Sequence, residues 1–168
     1  MEREEIIKRL SRIKLVASDC DGVLTDGGLY YTEDGYEIKR FHVYDGMGFI
    51  MLQEHGIRTA IITGENNPLV KKRAERLNVD YYIPGTKDKI GALTSICNEL
   101  GISLSESVYL GDDTFDIPAI EGCGFGVAPA EALDYVKEKA DYVTQKSGGR
   151  GCFREVADMI LEIQNGEK

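Results

Sequence analysis

Carboxylates follow two short apolar runs of this chain, at the points where each run ends. Asp19-Cys20-Asp21-Gly22 comes after residues 14–18, and Gly111-Asp112-Asp113 comes after residues 107–110. A carboxylate can attack phosphorus and form an acyl phosphate, which divides the hydrolysis of a phosphate ester into two steps. Asp19 is the candidate nucleophile. Asp21, two positions later, can protonate the leaving alkoxide and then deprotonate the attacking water.

Several carboxylates around one phosphate need a divalent cation. Mg²⁺ prefers one or two carboxylates together with substrate oxygen and water. We expect the carboxylates of Asp19 and Asp112 and the backbone carbonyl of Asp21 to bind it. Asp113 and Asp116 are predicted to lie behind these ligands and to orient the metal's water molecules or cap a helix.

Two further segments carry groups suited to phosphoryl oxygens. Thr63-Gly64 follows the apolar run 58–62, and Lys89 lies at the start of a helical pattern. A hydroxyl and an ammonium group can stabilise the charge that develops on a transferring phosphoryl group. Lys89 is preferred to Lys87, which is expected to reach solvent.

The elements that must position these groups alternate regularly. Residues 14–18, 58–62, 80–83, 107–110 and 124–127 are predicted strands, and residues 2–12, 46–55, 67–77, 88–100, 114–121 and 151–163 are predicted helices. Such alternation predicts an α/β fold, a three-layer Rossmann-like parallel sheet with helices on both faces. Functional groups of such sheets lie at the carboxyl ends of the strands, where all four segments fall.

One segment departs from this alternation. Residues 28–41 hold an Asp34-Gly35 turn between two strand-like runs, which predicts a protruding β-hairpin. The chain contains no domain linker, and we expect residues 1–168 to form a single domain with a C-terminal tail of about 146–168.

Each acidic or polar motif has a simpler interpretation when it is taken alone. Asp19 and Asp21 could begin a calcium-binding loop, but Val23 and Leu24 occupy positions where a ligand and a glycine are required. Thr63-Gly64 could be a turn, and Asp112-Asp113 a helix cap. The occurrence of all the motifs at successive strand ends favours the chemical interpretation.

The four motifs, in this order, resemble those of the haloacid dehalogenase superfamily of phosphohydrolases. Residues 19–27, residues 41–48 and Ser147-Gly148-Gly149-Arg150-Gly151 are similar to its capless branch, the 3-deoxy-D-manno-octulosonate 8-phosphate phosphatase family. The resemblance implies a Mg²⁺-dependent phosphatase acting through a phospho-aspartate. It also implies a homotetramer, in which the hairpins pack together and the glycine-rich segment reaches a neighbouring active site.

The same resemblance leaves the sugar open. Arg150 is a candidate for binding the substrate's carboxylate, and its alternative is a helix-start arginine in a flexible turn. Arg73 is another substrate-site candidate, and its alternative is a solvated arginine. Glu65 stands where octulosonate-phosphate phosphatases often have a basic residue. The alternative substrate is therefore 2-keto-3-deoxy-nononate 9-phosphate.

Other functional classes also use an acidic site on a parallel sheet. A phospho-receiver signalling domain has a phosphorylatable Asp but no second acid two residues later, where this chain has Asp21. A silent interaction module would not need every reactive residue type. A phosphomutase usually needs a cap, for which neither gap between motifs has room.

Composition restricts the partners. The net charge of −9 and the absence of a basic run argue against binding to nucleic acid. The cysteines are far apart in sequence, which is typical of free thiols in a reducing compartment. Without an apolar segment long enough for a leader or a membrane span, we expect a cytoplasmic protein.

Overall fold

The structure, a computed structural model, describes residues 2–166. Its helices are α1 (Arg3–Leu10), α2 (Val43–Glu54), α3 (Pro68–Arg76), α4 (Lys89–Leu100), α5 (Ile117–Gly122), α6 (Asp134–Lys137) and α7 (Cys152–Gln164). Its strands are β1 (Leu15–Ser18), β2 (Tyr30–Tyr31), β3 (Glu37–Ile38), β4 (Arg58–Ile62), β5 (Tyr81–Ile83), β6 (Ser107–Leu110), β7 (Phe125–Ala128) and β8 (Tyr142–Val143). The predicted α/β class is confirmed.

Six strands form one parallel sheet in the order β5-β4-β1-β6-β7-β8. The central strand, β1, ends with Ser18 beside Ile61 of β4 and Leu110 of β6. The next backbone N–H, that of Asp19, still donates to the Leu110 carbonyl at 2.9 Å. The register therefore brings the loops after β1, β4 and β6 to one edge.

Alternate strand residues bury two cores, one on each face of the sheet. Val16 and its neighbours pack against α1, α2, α3 and α7, whereas Leu15 and Ala17 belong to a core that includes residues of α4 and α5. Helices on both faces confirm the three-layer prediction.

The hairpin is confirmed but is shorter than predicted. Only β2 and β3 pair, within the predicted span 28–41, and a single bridge between Thr25 and Phe41 closes its base. Between β1 and β4 lie only this hairpin and α2, and between β4 and α4 lie only α3 and β5. The described residues therefore contain no cap domain, as predicted.

Helix boundaries differ from the predictions where side chains cap them. α2 begins at Val43 instead of residue 46, because the His42 ring accepts a hydrogen bond from the Tyr44 N–H. The predicted helix 114–121 is a short 3-10 turn, Thr114–Asp116, followed by α5. α6 and β8 are too short to give a periodic pattern, and the sequence does not predict them.

The segment predicted as a C-terminal tail is part of the folded domain. Phe153 of α7 stacks on Phe49 of α2 with ring centroids 3.9 Å apart, and the Asp45 carboxylate caps α7 by accepting from the Gly151 and Arg154 N–H groups. The Gly149 N–H donates to the Val23 carbonyl of the same chain. That the glycine-rich segment 147–151 reaches the active site of a neighbouring subunit stays a prediction.

Candidate active site

A cavity of about 450 Å³ opens at the carboxyl edge of the sheet. It brings together most of the residues predicted to do chemistry. They are Asp19, Asp21, Thr63, Gly64, Glu65, Lys89, Asp112, Asp113 and Asp116. The predicted convergence of the four motifs is therefore present in the structure.

Asp19 and Lys89 form a buried ion pair at the base of this cavity. The Lys89 ammonium lies 2.7 Å from Asp19 Oδ1 and 2.7 Å from the Ile62 carbonyl oxygen, and its side chain is 3% exposed. Asp88 caps the start of α4, which fixes Lys89 as the first residue of that helix. The pair holds the candidate nucleophile in place and puts a cation where phosphoryl oxygens would bind.

Two further carboxylates crowd beside this pair. Ligand oxygens of Asp19, Asp112 and Asp116 all lie within 4.8 Å of one another. Burial, followed by the charges of Asp19 and Asp116, raises the pKa of Asp112 to about 8. Burial and the charge of Asp116 likewise raise the pKa of Asp19 above its usual range. Buried, mutually repelling carboxylate oxygens are a donor set suited to a hard divalent cation such as Mg²⁺.

Asp116 lies closer to this cluster than predicted. Its Oδ1 accepts from the Tyr109 hydroxyl at 2.7 Å, and its Oδ2 accepts from the Asp112 and Asp113 N–H groups. These bonds orient the carboxylate toward Asp19 and Asp112. Asp113 instead is exposed and caps the 3-10 turn through Thr114, the second of the two roles predicted for it.

The Asp21 carboxylate lines the same cavity but is not one of the three clustered carboxylates. Its Oδ1 accepts a hydrogen bond from the Lys39 ammonium at 2.7 Å and one from the Thr25 hydroxyl at 3.3 Å. Its backbone carbonyl accepts none from residues 2–166, so this oxygen is available to a metal ion. That Asp21 contributes its carbonyl to the metal and its carboxyl group to proton transfer stays a prediction.

The backbone conformation at position 22 and the close approach of Asp112 both require a glycine there. Its φ is +83°, in the left-handed region that side chains disfavour, and a Cβ there would collide with the Asp112 carboxylate. The glycine of the Asp-x-Asp-Gly motif therefore lets the loop after β1 pack closely against Asp112, which follows β6.

Thr63 directly follows β4, is buried and lines the cavity. Its N–H donates to the Ile83 carbonyl, and its Oγ1 accepts only a long hydrogen bond, 3.4 Å, from the Glu65 N–H. Its hydroxyl proton can therefore be donated to a phosphoryl oxygen. Glu65 lies at the rim with its side chain 60% exposed.

The two predicted substrate arginines do not line this cavity. Arg73 stacks over the Phe41 ring at 5.5 Å and donates to the His42 carbonyl, because its position on α3 directs it toward the base of the hairpin. Within one chain Arg73 lies outside this cavity, and its role in binding substrate stays a prediction. Arg150 is exposed beside a separate cavity of about 530 Å³ next to α7.

Sequence reasoning missed two lysines. Lys39, from the hairpin, contacts Asp21 and is described further below. Lys87 is exposed as predicted, but it also lines the cavity, with its ammonium 4.8 Å from the centre of the Phe115 ring. Neither contact has a local sequence signal, because each joins residues that are distant in the chain.

Comparisons with known proteins agree with this geometry. A family model described as haloacid dehalogenase-like hydrolase matches residues 82–154. The 3-deoxy-D-manno-octulosonate 8-phosphate phosphatase KdsC of Haemophilus influenzae is 40% identical over 157 residues, which cover 94% of this chain and 87% of that protein. The KdsC of Escherichia coli K12 is 38% identical over 160 residues, 95% of this chain and 85% of that protein.

A solved structure is similar over almost its whole length. The 3-deoxy-D-manno-octulosonate 8-phosphate phosphatase of Moraxella catarrhalis, in complex with a magnesium ion, a phosphate ion and a KDO molecule, superposes with a TM-score of 0.95. It is 41% identical, and the match covers 98% of this chain and 95% of that one.

Proposed function

This chain belongs to the 3-deoxy-D-manno-octulosonate 8-phosphate phosphatase family of haloacid dehalogenase-like hydrolases, and we propose that it hydrolyses a sugar-acid phosphate monoester with Mg²⁺ as cofactor. The substrate proposed first is 3-deoxy-D-manno-octulosonate 8-phosphate. The observation that carries the proposal is the buried Lys89–Asp19 pair beside the carboxylates of Asp112 and Asp116.

In the first step an Asp19 carboxylate oxygen attacks phosphorus. The new O–P bond forms as the bond from phosphorus to the sugar oxygen breaks, and the leaving alkoxide takes a proton from the Asp21 carboxyl group. Asp19 ends up as a phospho-aspartate. Lys89 and the Thr63 hydroxyl bind the phosphoryl oxygens during this step.

In the second step Asp21 acts as a base. Water gives a proton to the Asp21 carboxylate and attacks phosphorus, and the bond between phosphorus and the Asp19 oxygen breaks. Inorganic phosphate leaves, Asp19 is again a carboxylate, and Asp21 is again protonated for the next turnover. The Asp19 and Asp112 carboxylates and the Asp21 carbonyl, with Asp116 beside them, would hold Mg²⁺, which would supply positive charge that offsets the anionic phosphate.

Asp21 separates this proposal from a phospho-receiver domain. A receiver stores its phosphoryl group, whereas a second acid beside the nucleophile speeds removal of that group. The position of Asp21 on the wall of the same cavity as Asp19 supports repeated turnover.

Glu65 keeps a second substrate in consideration. Its exposed carboxylate lies at the rim of the cavity, where the part of the sugar remote from the phosphate would reach. A carboxylate there accepts hydrogen bonds from hydroxyl groups and repels an acid. Glu65 therefore leaves the exact sugar open, with 2-keto-3-deoxy-nononate 9-phosphate as the alternative substrate.

We also propose that the active form is a homotetramer. The hairpin exposes Leu29, Tyr31, Tyr36 and Ile38 by 52–72%, more apolar surface than a two-stranded ribbon leaves in water. Arg150, exposed on its own subunit, is proposed to serve a neighbouring site. No helix of the described residues is long and apolar enough to span a membrane, and the cytoplasmic location stays a prediction.

A panel of phosphate esters tests the proposed function. We expect kcat/KM for the two sugar-acid phosphates to exceed that for glucose 6-phosphate by at least about 100-fold, since polar groups of a site reject substrates that leave them unpaired. Phosphate release should require added Mg²⁺. Equal specificity constants for all three esters would contradict a sugar-acid substrate.

A further inference from the structure

Lys39 is a buried lysine that the mechanism above does not use. Its side chain is only 3% exposed, although it belongs to a hairpin whose other large side chains are mostly in solvent. Burial opposes its charge, but hydrogen bonds to Asp21 and Glu37 outweigh this and raise the pKa of the ammonium group. Lys39 is therefore a permanent cation directly behind Asp21, which lines the candidate active site.

Three carboxylates surround this ammonium group at unequal distances. Asp21 Oδ1 is nearest at 2.7 Å, Glu37 Oε1 follows at 3.1 Å, and Glu65 Oε2 lies at 3.6 Å. Glu37 is itself held by the Asn67 side-chain amide at 2.6 Å. Asn67 caps the start of α3, close after Thr63, so Lys39 is fixed relative to the sheet and not only to the hairpin.

The contacts of Asp21 are confined to one of its two oxygens. Both Lys39 and Thr25 donate to Oδ1, and Oδ2 accepts no hydrogen bond within residues 2–166. A carboxyl group held in this way has one rotamer and one free oxygen. The free oxygen can carry the proton that moves to the leaving alkoxide.

We infer that Lys39 is a positioning residue that holds the Asp21 carboxyl group in the orientation needed for proton transfer. This inference rests on the proposed function, since it assigns Lys39 a task in that reaction. Lys39 acts through Asp21 and donates no proton itself. Because Lys39 lies in the hairpin, the acid of the loop after β1 is held by a segment that also carries the exposed apolar surface.

The test compares esters that differ in their need for an acid. Lys39→Met should lower the rate of phosphoenzyme formation from an alkyl phosphate by about 10²-fold, a large part of what an acid contributes, with KM changed less than about threefold. The first-turnover burst from 4-nitrophenyl phosphate should fall far less, because nitrophenolate leaves without a proton. Lys39→Arg should restore most of the alkyl-ester rate.

Matched variants separate this role from a structural one. Lys71→Met removes an exposed lysine that pairs only with Glu75 on α3, and it should leave both rates unchanged. Lys39→Met in an Asp21→Asn background should be no slower than Asp21→Asn alone, because positioning has no value once the acid is gone. Multiplied losses in the double variant, or equal losses on both esters, would overturn the inference.

Two further measurements cover the remaining outcomes. If Lys39→Met does not fold, Lys39→Gln, one atom shorter and still polar, takes its place. A crystal structure of either variant with Asp21 in its original orientation would also overturn the inference. If the wild-type protein prefers some other alkyl phosphate, the proposed substrate is contradicted, but the Lys39 comparison can be made with that ester. If it hydrolyses no phosphate ester, both the proposed function and the Lys39 inference are overturned.

Discussion

Lys89 Nζ lies 2.7 Å from Asp19 Oδ1, although the two residues are 70 positions apart in sequence. The same ammonium group donates to the Ile62 carbonyl at the end of β4, so it ties the loop after β1 to the strand that precedes Thr63. A buried cation held in this way can neutralise negative charge without moving when a phosphoryl group arrives.

Removal of that cation should impair catalysis strongly. We expect Lys89→Met to lower kcat by about 10²–10³-fold, because the transferring phosphoryl group loses a preorganised positive charge. Lys139→Met, which removes an exposed lysine paired with Glu121, is the control and should retain wild-type kcat. Steady-state phosphate release checks both variants, and a kcat for Lys89→Met within tenfold of wild type would contradict the role of Lys89.

The crowded carboxylates should make stability without metal depend on pH. Burial raises the pKa of both Asp112, to about 8, and Asp19. A carboxyl group whose folded pKa exceeds its unfolded value stabilises the fold fully below the unfolded pKa, and this contribution is lost as pH rises through the folded pKa. We therefore expect the metal-free protein to lose stability from about pH 4, where an aspartate of the unfolded chain ionises, up to about pH 8, the pKa of folded Asp112.

Mg²⁺ should reverse this loss. Thermal unfolding in chelator and in excess Mg²⁺ should show a rise in Tm that is larger near pH 8.5 than near pH 6, since protons compete with the metal at the lower pH. Asp112→Asn should abolish most of the Mg²⁺-dependent rise. A rise in Tm that is equal at both pH values would contradict the metal site.

Gly22 and Gly35 offer a matched pair of substitutions. Both have φ near +80°, but a Cβ at Gly22 would collide with the Asp112 carboxylate, whereas a Cβ at Gly35 meets nothing within 4 Å. Each alanine variant should lose about 1 kcal/mol of stability from the backbone conformation. Only Gly22→Ala should also weaken Mg²⁺ binding, and a calorimetric titration that gave the same Kd for both variants would show that Gly22 does not shape the metal site.

The sequence predicts the sheet, its two faces of helices and the convergence of Asp19, Thr63, Lys89 and Asp112. The sheet and helices follow from the hydrophobic periodicity of the sequence. The convergence follows from the positions of the motifs at strand ends, because the carboxyl ends of parallel strands share one edge. Asp116 and Lys39 could not be placed in this way. Asp116 is turned toward the cluster by a hydrogen bond from the Tyr109 side chain, and Lys39 reaches Asp21 only because the hairpin folds back over the loop after β1.

Arg73 lies outside the cavity that holds the other predicted residues. A helical position after Thr63 suggested a substrate contact, but the phase of α3 directs this side chain to Phe41 and the His42 carbonyl. Residue spacing alone does not show toward which part of the protein a charged helix residue is directed. The same limit applies to Arg150, whose proposed contacts lie on a second subunit.

The exposed hairpin should control assembly. Tyr31 and Tyr36 are 64% and 72% exposed, and replacing both with Glu should bury charge in a hairpin-mediated tetramer and favour monomers. Light scattering measures the mass in solution. Ile7→Glu is the control, since it changes an exposed apolar residue of α1, and it should leave the assembly unchanged. A wild-type protein that is a monomer would contradict this arrangement. A tetramer that survives both tyrosine substitutions would contradict it as well.

Covalent transfer to Asp19 is the central claim, and trapping the phosphoenzyme tests it most directly. Asp21→Asn slows removal of the phosphoryl group, so acid quenching after incubation with 4-nitrophenyl phosphate should leave one phosphoryl group on the peptide that contains Asp19. Hydroxylamine should remove it, as expected of an acyl phosphate, and Asp19→Asn should show neither the modification nor turnover. Stoichiometric release of nitrophenol with an unmodified Asp19 peptide would contradict the account.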